Sequence, residues 1–194
     1  RHEIPADRPL LVTVSRLAPE KSVDLVLRAF QQVPAGAEAY LLIVGGGPSA
    51  EALQDLARAL GIAARTRFTG PLPHDAALEA IAGADLFLFG SQTETQGIVL
   101  VEAMAAGVPV VAVARGGAAE VVGDGEAGVL VEPSPQAMAA AVHDLMVDPA
   151  RRRTMSRRAR EIAAGYATPV LARRIATLYQ SVLAEKEGHV PQRT

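Results

Sequence analysis

The sequence predicts an α/β protein with a parallel β-sheet, helices on both faces of the sheet, and further helices at the C-terminal end. Two observations support this prediction. Short apolar runs alternate with segments of helical length as far as Pro133. Beyond Pro133 the apolar runs stop, and helical segments follow one another directly. Uninterrupted apolar runs of this kind are typical of parallel strands that helices cover on both sides.

The strands are predicted mostly as runs of valine, leucine, isoleucine or phenylalanine that end near glycine, proline or a polar residue. They cover residues 10–14, 40–44, 67–69, 86–89, 108–112 and 128–131. The helices between them are predicted over residues 23–32, 49–60, 75–82, 97–106 and 116–122. In the first of these helices, Val23, Val26 and Phe30 recur three and four residues apart, which places them on one face.

The C-terminal part of the chain is predicted to be helical. Ser134 and Thr168 suit N-cap positions, and Pro135 and Pro169 suit a first helical turn. The predicted helices cover residues 134–147, 149–164 and 170–185.

We divide the chain into three parts. Residues 1–8 are expected to be the remnant of an interdomain linker, and residues 188–194 a disordered tail. Residues 9–187 are expected to form one Rossmann-like domain together with its C-terminal helices. The chain starts at Arg1 without a methionine, so we expect it to be a piece of a longer protein.

The composition limits the function. With 194 residues, 49% of them hydrophobic, the chain can bury a substantial core. A formal net charge of −2 argues against nucleic-acid binding that depends on overall charge. The absence of cysteine excludes disulfides, thiolate metal ligands and cysteine nucleophiles, and fits a reducing compartment. No apolar run reaches the length of a membrane span. We expect a cytoplasmic protein, with peripheral contact to the inner face of the membrane left open.

The segment over residues 91–104 carries two carboxylates, Glu94 and Glu102, on either side of Gly97. It follows the strand predicted at 86–89, so Glu94 falls in the loop at the carboxyl end of that strand. Glu102 falls more than one turn into the next helix. Ligands of open α/β sheets bind in this crevice, where helix N-termini favour anions. A sugar nucleotide, which carries hydroxyls near its phosphates, suits such a site. Complementing the helix dipole and lying on the surface remain the alternatives for the two glutamates.

A second polar group of residues lies in the loop after the first strand. Arg16 offers a planar fork and Lys21 a mobile charge for the oxygens of a diphosphate. On spacing alone, a solvated loop remains the alternative. The glycines at 45–47 do not form a dinucleotide fingerprint, and a tight turn before Pro48 explains them equally well.

Other candidates are weaker. His74 and His143 are isolated, so no pair has the spacing of metal ligands. The six arginines within residues 151–160 are expected to form a solvated helix face rather than a membrane or nucleic-acid surface. Residues 115–117 are expected to face an interdomain cleft, with an ordinary turn as the alternative.

Taken in order, these segments resemble the C-terminal, nucleotide-binding half of retaining glycosyltransferases with the GT-B fold, in the group 1 family (family 4). The similarity covers about residues 9–185. The matching segments are Ser15–Leu17 with Glu20–Lys21, Gly45–Pro48, Arg67–Gly70, Ala84–Leu86, Glu94–Ala105, Gly107–Ala112, Gly116–Gly117 with Glu120–Val122, and Gly128–Val131.

The resemblance implies a nucleoside-diphosphate sugar as donor, with no cofactor and no bound metal. Arg16 and Lys21 would hold the diphosphate and stabilise the leaving nucleotide. Glu94 would accept hydrogen bonds from sugar hydroxyls, and Glu102 from the ribose. The donor-binding main chain is expected at Gly97, Ile98 and Val99 for the distal phosphate, at Arg67 and Phe68 for the base, and at Gly45 and Gly47 for close approach to the nucleotide.

The resemblance also implies what the chain lacks. An N-terminal acceptor-binding domain is expected to be missing, and membrane contact would occur through that domain. An apolar patch is therefore expected where the two domains dock, around the helix at 170–185. Gln96 stands where the family often has an aromatic residue, which leaves the choice of sugar open. A non-catalytic nucleotide-sugar-binding module and a sugar-nucleotide epimerase of the same fold remain the alternatives.

Overall fold

The computed structural model describes residues 4–34, 38–123 and 125–188. In this part of the chain six strands form one sheet, and every neighbouring pair in it is parallel. The strands are β1 (Leu10–Val14), β2 (Tyr40–Val44), β3 (Thr66–Gly70), β4 (Leu86–Phe89), β5 (Val110–Val113) and β6 (Gly128–Val131). Their order, β3-β2-β1-β4-β5-β6, is that of a Rossmann sheet. The predicted Rossmann-like α/β fold is confirmed.

Helices connect the strands and continue beyond the last one. They are α1 (Val23–Gln32), α2 (Ala50–Ala59), α3 (His74–Ala82), α4 (Ile98–Ala106), α5 (Gly117–Val122), α6 (Pro135–Val147), α7 (Pro149–Ala164) and α8 (Thr168–Gly188). Short 3₁₀ helices lie at Pro19–Lys21 and Ala63–Arg65. The bounds differ from the predicted ones by at most three residues. Helices α4, α5 and α6 begin one residue later than predicted, because Gly97, Gly116 and Ser134 serve as their N-caps. Gly188 ends α8, and the rest of the predicted tail lies outside the described residues.

The core has two layers, because successive residues of a strand point to opposite faces of the sheet. Leu11, Ile43 and Leu88 share one apolar cluster with residues of α1 and α6. Val12 and Phe87 share the other cluster with residues of α4 and α7. Because both faces of the sheet are buried, polar side chains can gather at the amino and carboxyl ends of its strands. The loops after β1, β2 and β4 meet at the carboxyl edge.

The arginines within residues 151–160 are more engaged than the sequence predicts. Arg152 donates to carbonyls in the last turn of α6, at 2.7 and 2.8 Å. Arg160 donates to the last carbonyl of α4, at 3.2 Å. Arg158 forms ion pairs with two glutamates. Half of this basic run therefore ties α7 to its neighbours, while Arg151, Arg153 and Arg157 remain exposed.

Helix α8 carries an exposed apolar face. Six of its large apolar side chains are between 38% and 68% exposed. They are Leu171, Ile175, Leu178, Tyr179, Val182 and Leu183. The apolar patch predicted on this helix is confirmed. Among the described residues no helix combines the length and the hydropathy that crossing a membrane requires.

We expect the chain to self-associate through this face, because contact between two copies removes apolar side chains from water. Leu178→Glu places a charge within the face and should shift the chain toward the monomer in sedimentation velocity, at an unchanged melting temperature. Gln180→Glu adds the same charge about 200° around the helix and should leave association unaffected. Equal effects of the two substitutions would contradict a role for this face.

Candidate functional site

A cleft of about 350 Å³ opens at the carboxyl edge of the sheet. It lies between the ends of β1 and β4, where the strand order reverses, which is the usual ligand position in such sheets. Its lining residues are Val14, Ser15, Arg16, Lys21, Phe89, Glu94, Gln96, Ile98, Val99 and Glu102. The structure thus brings together six of the predicted site residues, which come from the loop after β1, the loop after β4, and α4.

An ion pair spans the cleft. The Nζ of Lys21 donates to the Oε2 of Glu94 at 2.9 Å, and the two side chains are only 25% and 17% exposed. Lys21 ends the 3₁₀ helix at Pro19–Lys21, and the backbone carbonyl of Glu20 accepts a hydrogen bond from the fully buried Ser91 at 3.4 Å. The loops after β1 and β4 are therefore joined through both side chains and backbone.

The second carboxylate oxygen of Glu94 faces the start of α4. It accepts backbone hydrogen bonds from Gly97 at 3.3 Å and from Gln96 at 3.4 Å. Gly97 is the N-cap of α4 and has a φ of +65°, a conformation that favours glycine. The hydrogen bond from Lys21 is the main cause that lowers the pKa of Glu94; burial opposes it, and the Gly97 and Gln96 amides add to it. The carboxylate is thus held ionised and oriented at neutral pH.

The first turn of α4 supplies further donors. The N–H groups of Ile98 and Val99 belong to this turn, where no carbonyl within the helix can accept them. The Ile98 side chain is 60% exposed and borders the cleft. A helix start of this kind favours an anionic group.

Glu102 lies one turn further along α4 and has a neighbour that the sequence did not suggest. Its Oε1 is 3.8 Å from the Nε2 of His74, the first residue of α3. In the sequence His74 is isolated, and only the packing of α3 beside α4 brings it close to Glu102. Among the described residues, no group of three or more His, Asp or Glu side chains is arranged to hold a metal ion.

The wall formed by the first strand carries Ser15 and Arg16. The Arg16 side chain is exposed and lines the cleft. The Ser15 hydroxyl is buried, and it has no hydrogen-bond partner among the residues that the structure describes. The Ser15 hydroxyl is thus a buried polar group without a partner among the described residues, in a residue that lines the cleft, a feature that its position in the sequence did not reveal.

Gly45 and Gly47, in the loop after β2, pack against the backbone of Ser15 and Leu17, in the loop after β1. Their φ values are +135° and +155°. A Cβ on Gly45 would lie 1.9 Å from the Ser15 carbonyl oxygen, and one on Gly47 would lie 2.4 Å from that of Leu17. Glycine is thus required at both positions for the loops after β1 and β2 to come into contact. This contact positions the segment that carries Arg16. Close approach to a nucleotide stays a prediction.

Arg67 and Phe68 do not bring their side chains to the cleft. Arg67 donates to the carbonyls of Ala64 and Thr66, at 2.9 and 3.2 Å, and its guanidinium lies 5.6 Å from the ring centre of Tyr40. Tyr40 begins β2, so Arg67 points toward the amino edge of the sheet. Phe68 packs against one layer of the core. Recognition of a base by the main chain at β3 stays a prediction.

Comparisons with known proteins agree with this architecture. The model of the family of glycosyl transferases group 1 matches residues 1–162. A GDP-mannose-dependent α-(1-6)-phosphatidylinositol monomannoside mannosyltransferase of Mycolicibacterium smegmatis is 42% identical over 77% of this chain and 41% of its own length. A D-inositol 3-phosphate glycosyltransferase of Thermomonospora curvata is 41% identical over 77% of this chain and 37% of its own length. The chain thus spans about two fifths of these relatives.

Solved structures show the same fold. Sucrose-phosphate synthase of Thermosynechococcus elongatus has a TM-score of 0.83 and 29% identity, over 94% of this chain and 47% of that one. The Anabaena protein HepE in complex with UDP has a TM-score of 0.81 and 29% identity, over 90% of this chain and 49% of that one.

The lowered pKa of Glu94 predicts a pH-dependent contribution to stability. As the pH falls, the unfolded chain takes up this proton first, so the contribution is complete above the ordinary glutamate pKa and is lost through the lowered one. Glu94→Gln should lower the free energy of unfolding in urea at pH 7, and the difference should shrink under acid conditions. The exposed Glu51, tested as Glu51→Gln, is the control. Equal pH dependence in Glu94→Gln and the unsubstituted chain would contradict the assignment.

Proposed function

Because the chain belongs to the family of glycosyl transferases group 1, we propose that it is the donor-binding half of a retaining glycosyltransferase. Such an enzyme moves a sugar from a nucleoside-diphosphate sugar to an acceptor. The observation that carries this proposal is the cleft, where Arg16 and Lys21 face Glu94, Glu102 and the start of α4. Cations and free N–H groups suit phosphates, and carboxylates suit hydroxyls. The cleft therefore carries groups for both the diphosphate and the hydroxyls of a sugar nucleotide.

Positive charge in the cleft stabilises the leaving group, the nucleoside diphosphate. When the bond between sugar and phosphate breaks, the nucleoside diphosphate gains negative charge. Arg16, Lys21 and the first N–H groups of α4 stabilise that charge where it develops, which is usually a large contribution to catalysis. No metal ion and no cofactor are part of this proposal, because these groups supply the positive charge.

Lys21 can serve phosphate and carboxylate together. Its ammonium has three N–H donors, and Glu94 uses one of them in the free chain. The others remain to meet a phosphate oxygen. Glu94 stays oriented by the Gly97 amide and accepts hydrogen bonds from the donor sugar, while Glu102 accepts those of the ribose. Glu94, the partner of the sugar, and Glu102, the partner of the ribose, are thus separated along the axis of α4.

The base and the acceptor are not determined by the cleft alone. One relative is named for GDP-mannose, and the HepE structure contains UDP. The relatives are named for a phosphatidylinositol monomannoside and for D-inositol 3-phosphate, which are chemically different compounds. We place acceptor binding, and any contact with a membrane, in the part of the relatives that this chain does not span. The apolar face of α8 is where that part would dock.

The chain alone should bind a nucleoside diphosphate without magnesium. Calorimetry with UDP, GDP and ADP, in the presence of a chelator, measures this. Arg16→Ala should weaken binding by removing a charged hydrogen bond, a loss of about 1.5–3 kcal/mol. Arg28→Ala removes an exposed arginine of α1 and should have no effect. No heat with any of the three nucleotides, or a strict need for magnesium, would overturn this part of the proposal.

The two glutamates should differ in their effects. Glu102→Gln should weaken binding of the free nucleoside diphosphate, because it replaces the charged acceptor of the ribose hydroxyls with a neutral one. Glu94→Gln should not weaken it, because the substitution releases Lys21 from its internal ion pair; in the complete enzyme it should instead lower turnover with the nucleotide sugar. Calorimetry of both variants and kinetics of the complete enzyme test this. Equal loss of nucleotide affinity in the two variants would show that the assignment is wrong.

A further inference from the structure

The turn at residues 115–117, between β5 and α5, lies directly behind the loop that carries Glu94. The backbone N–H of Gly117 donates to the Glu94 carbonyl at 2.8 Å. This bond joins residues that follow two different strands, β4 and β5. Glu94 is therefore held from behind by its own backbone, while Lys21 and Gly97 hold its carboxylate in front.

The contact leaves no room for a side chain. A Cβ on Gly116 would lie 2.2 Å from the Glu94 carbonyl oxygen, and one on Gly117 would lie 2.7 Å from that of Thr95. Gly116 also has a φ of +50° and a ψ of −141°, which disfavour other residues. Both nearest neighbours are backbone atoms, so they cannot move aside as the end of a flexible side chain can.

The same support continues to the start of α4. A Cβ on Gly97 would lie 3.4 Å from a methyl carbon of Val121 and 3.6 Å from the Gly117 carbonyl oxygen. The segment from Glu94 to Gly97 thus rests on α5 at both ends. A displacement of α5 would move the Glu94 carboxylate and the N-cap of α4 together.

We propose that Gly116 and Gly117 are positioning residues that fix Glu94 at the donor sugar, a role that rests on the proposed function of Glu94. Neither glycine lines the cleft. Each acts by letting two backbones approach, so that the carboxylate stands where the sugar hydroxyls arrive. Misplacement of a group in an active site by about 1 Å can cost on the order of 100-fold in rate.

Gly117→Ala is the principal test, with Gly83→Ala as its matched control. Neither glycine has a positive φ, and an added Cβ at Gly83 would meet only ordinary contacts, at 3.5 Å or more. A ¹³C titration of the free chain reports the pKa of Glu94 directly. We expect Gly117→Ala to raise that pKa toward its ordinary value, because the carboxylate loses Lys21, and Gly83→Ala to leave it unchanged.

In the complete enzyme, Gly117→Ala should lower kcat on the order of 100-fold, while calorimetry finds the affinity for the free nucleoside diphosphate little changed. A folded Gly117→Ala variant with an unchanged Glu94 pKa and unchanged turnover would overturn the proposal. The titration needs no ligand, so a shifted pKa without nucleotide binding would refute the glycosyltransferase function and leave the positioning contact standing.

A second comparison measures the pKa of Glu94 in Gly116→Ala and in Gly123→Ala. We expect Gly116→Ala to raise that pKa and Gly123→Ala to leave it unchanged. Gly123 has a φ of +67° and open space around it, so its substitution tests backbone strain without the clash. If neither Gly116→Ala nor Gly117→Ala folds, amide hydrogen exchange of the unsubstituted chain decides. Protection of the Gly117 N–H supports the contact, and exchange at the rate of an unfolded peptide overturns it.

Discussion

The ion pair between Lys21 and Glu94 is the interaction on which the cleft depends. It joins residues that are 73 positions apart in the chain, across the point where the order of the sheet reverses. Removing two charges from water costs free energy, and such a pair is favourable only when its remaining hydrogen-bonding capacity is used. The amides of Gln96 and Gly97 meet that need for the carboxylate. The positions of the Lys21 ammonium and the Glu94 carboxylate are therefore fixed in the free chain.

The walls of the cleft are built by backbone contacts at glycines. Gly45 and Gly47 let the loop after β2 touch the loop after β1, and Gly90 brings β4 within contact of the Ser22 carbonyl. Gly116 does the same between the loops after β5 and β4. Contact between backbones fixes the spacing of loops more tightly than contact between flexible side chains. The side chains that remain are free to point into the cleft.

The fold could be predicted from the sequence because apolar runs and helical spacing are local properties. The gathering of Arg16, Lys21, Glu94 and Glu102 followed from topology, since carboxyl ends of parallel strands share one edge. What could not be predicted depends on packing between distant segments. The neighbourhood of His74 and Glu102 arises only where α3 meets α4. The direction of a long side chain such as that of Arg67 depends on which carbonyls and rings lie within its reach, and a strand pattern does not contain that information.

Helix α4 is restrained at both ends, and one of the two restraints comes from α7, a helix that follows the last strand. Glu94 compensates the positive end of its dipole, and Arg160 compensates the negative end from α7. Ala159 and Ala163 of α7 share a buried cluster with α4. Without α7, the six strands and their connecting helices would therefore leave the C-terminal end of α4 without these partners. A chain shortened to the sheet would keep every residue that lines the cleft and would lose the contacts that α7 makes with the C-terminal end of α4.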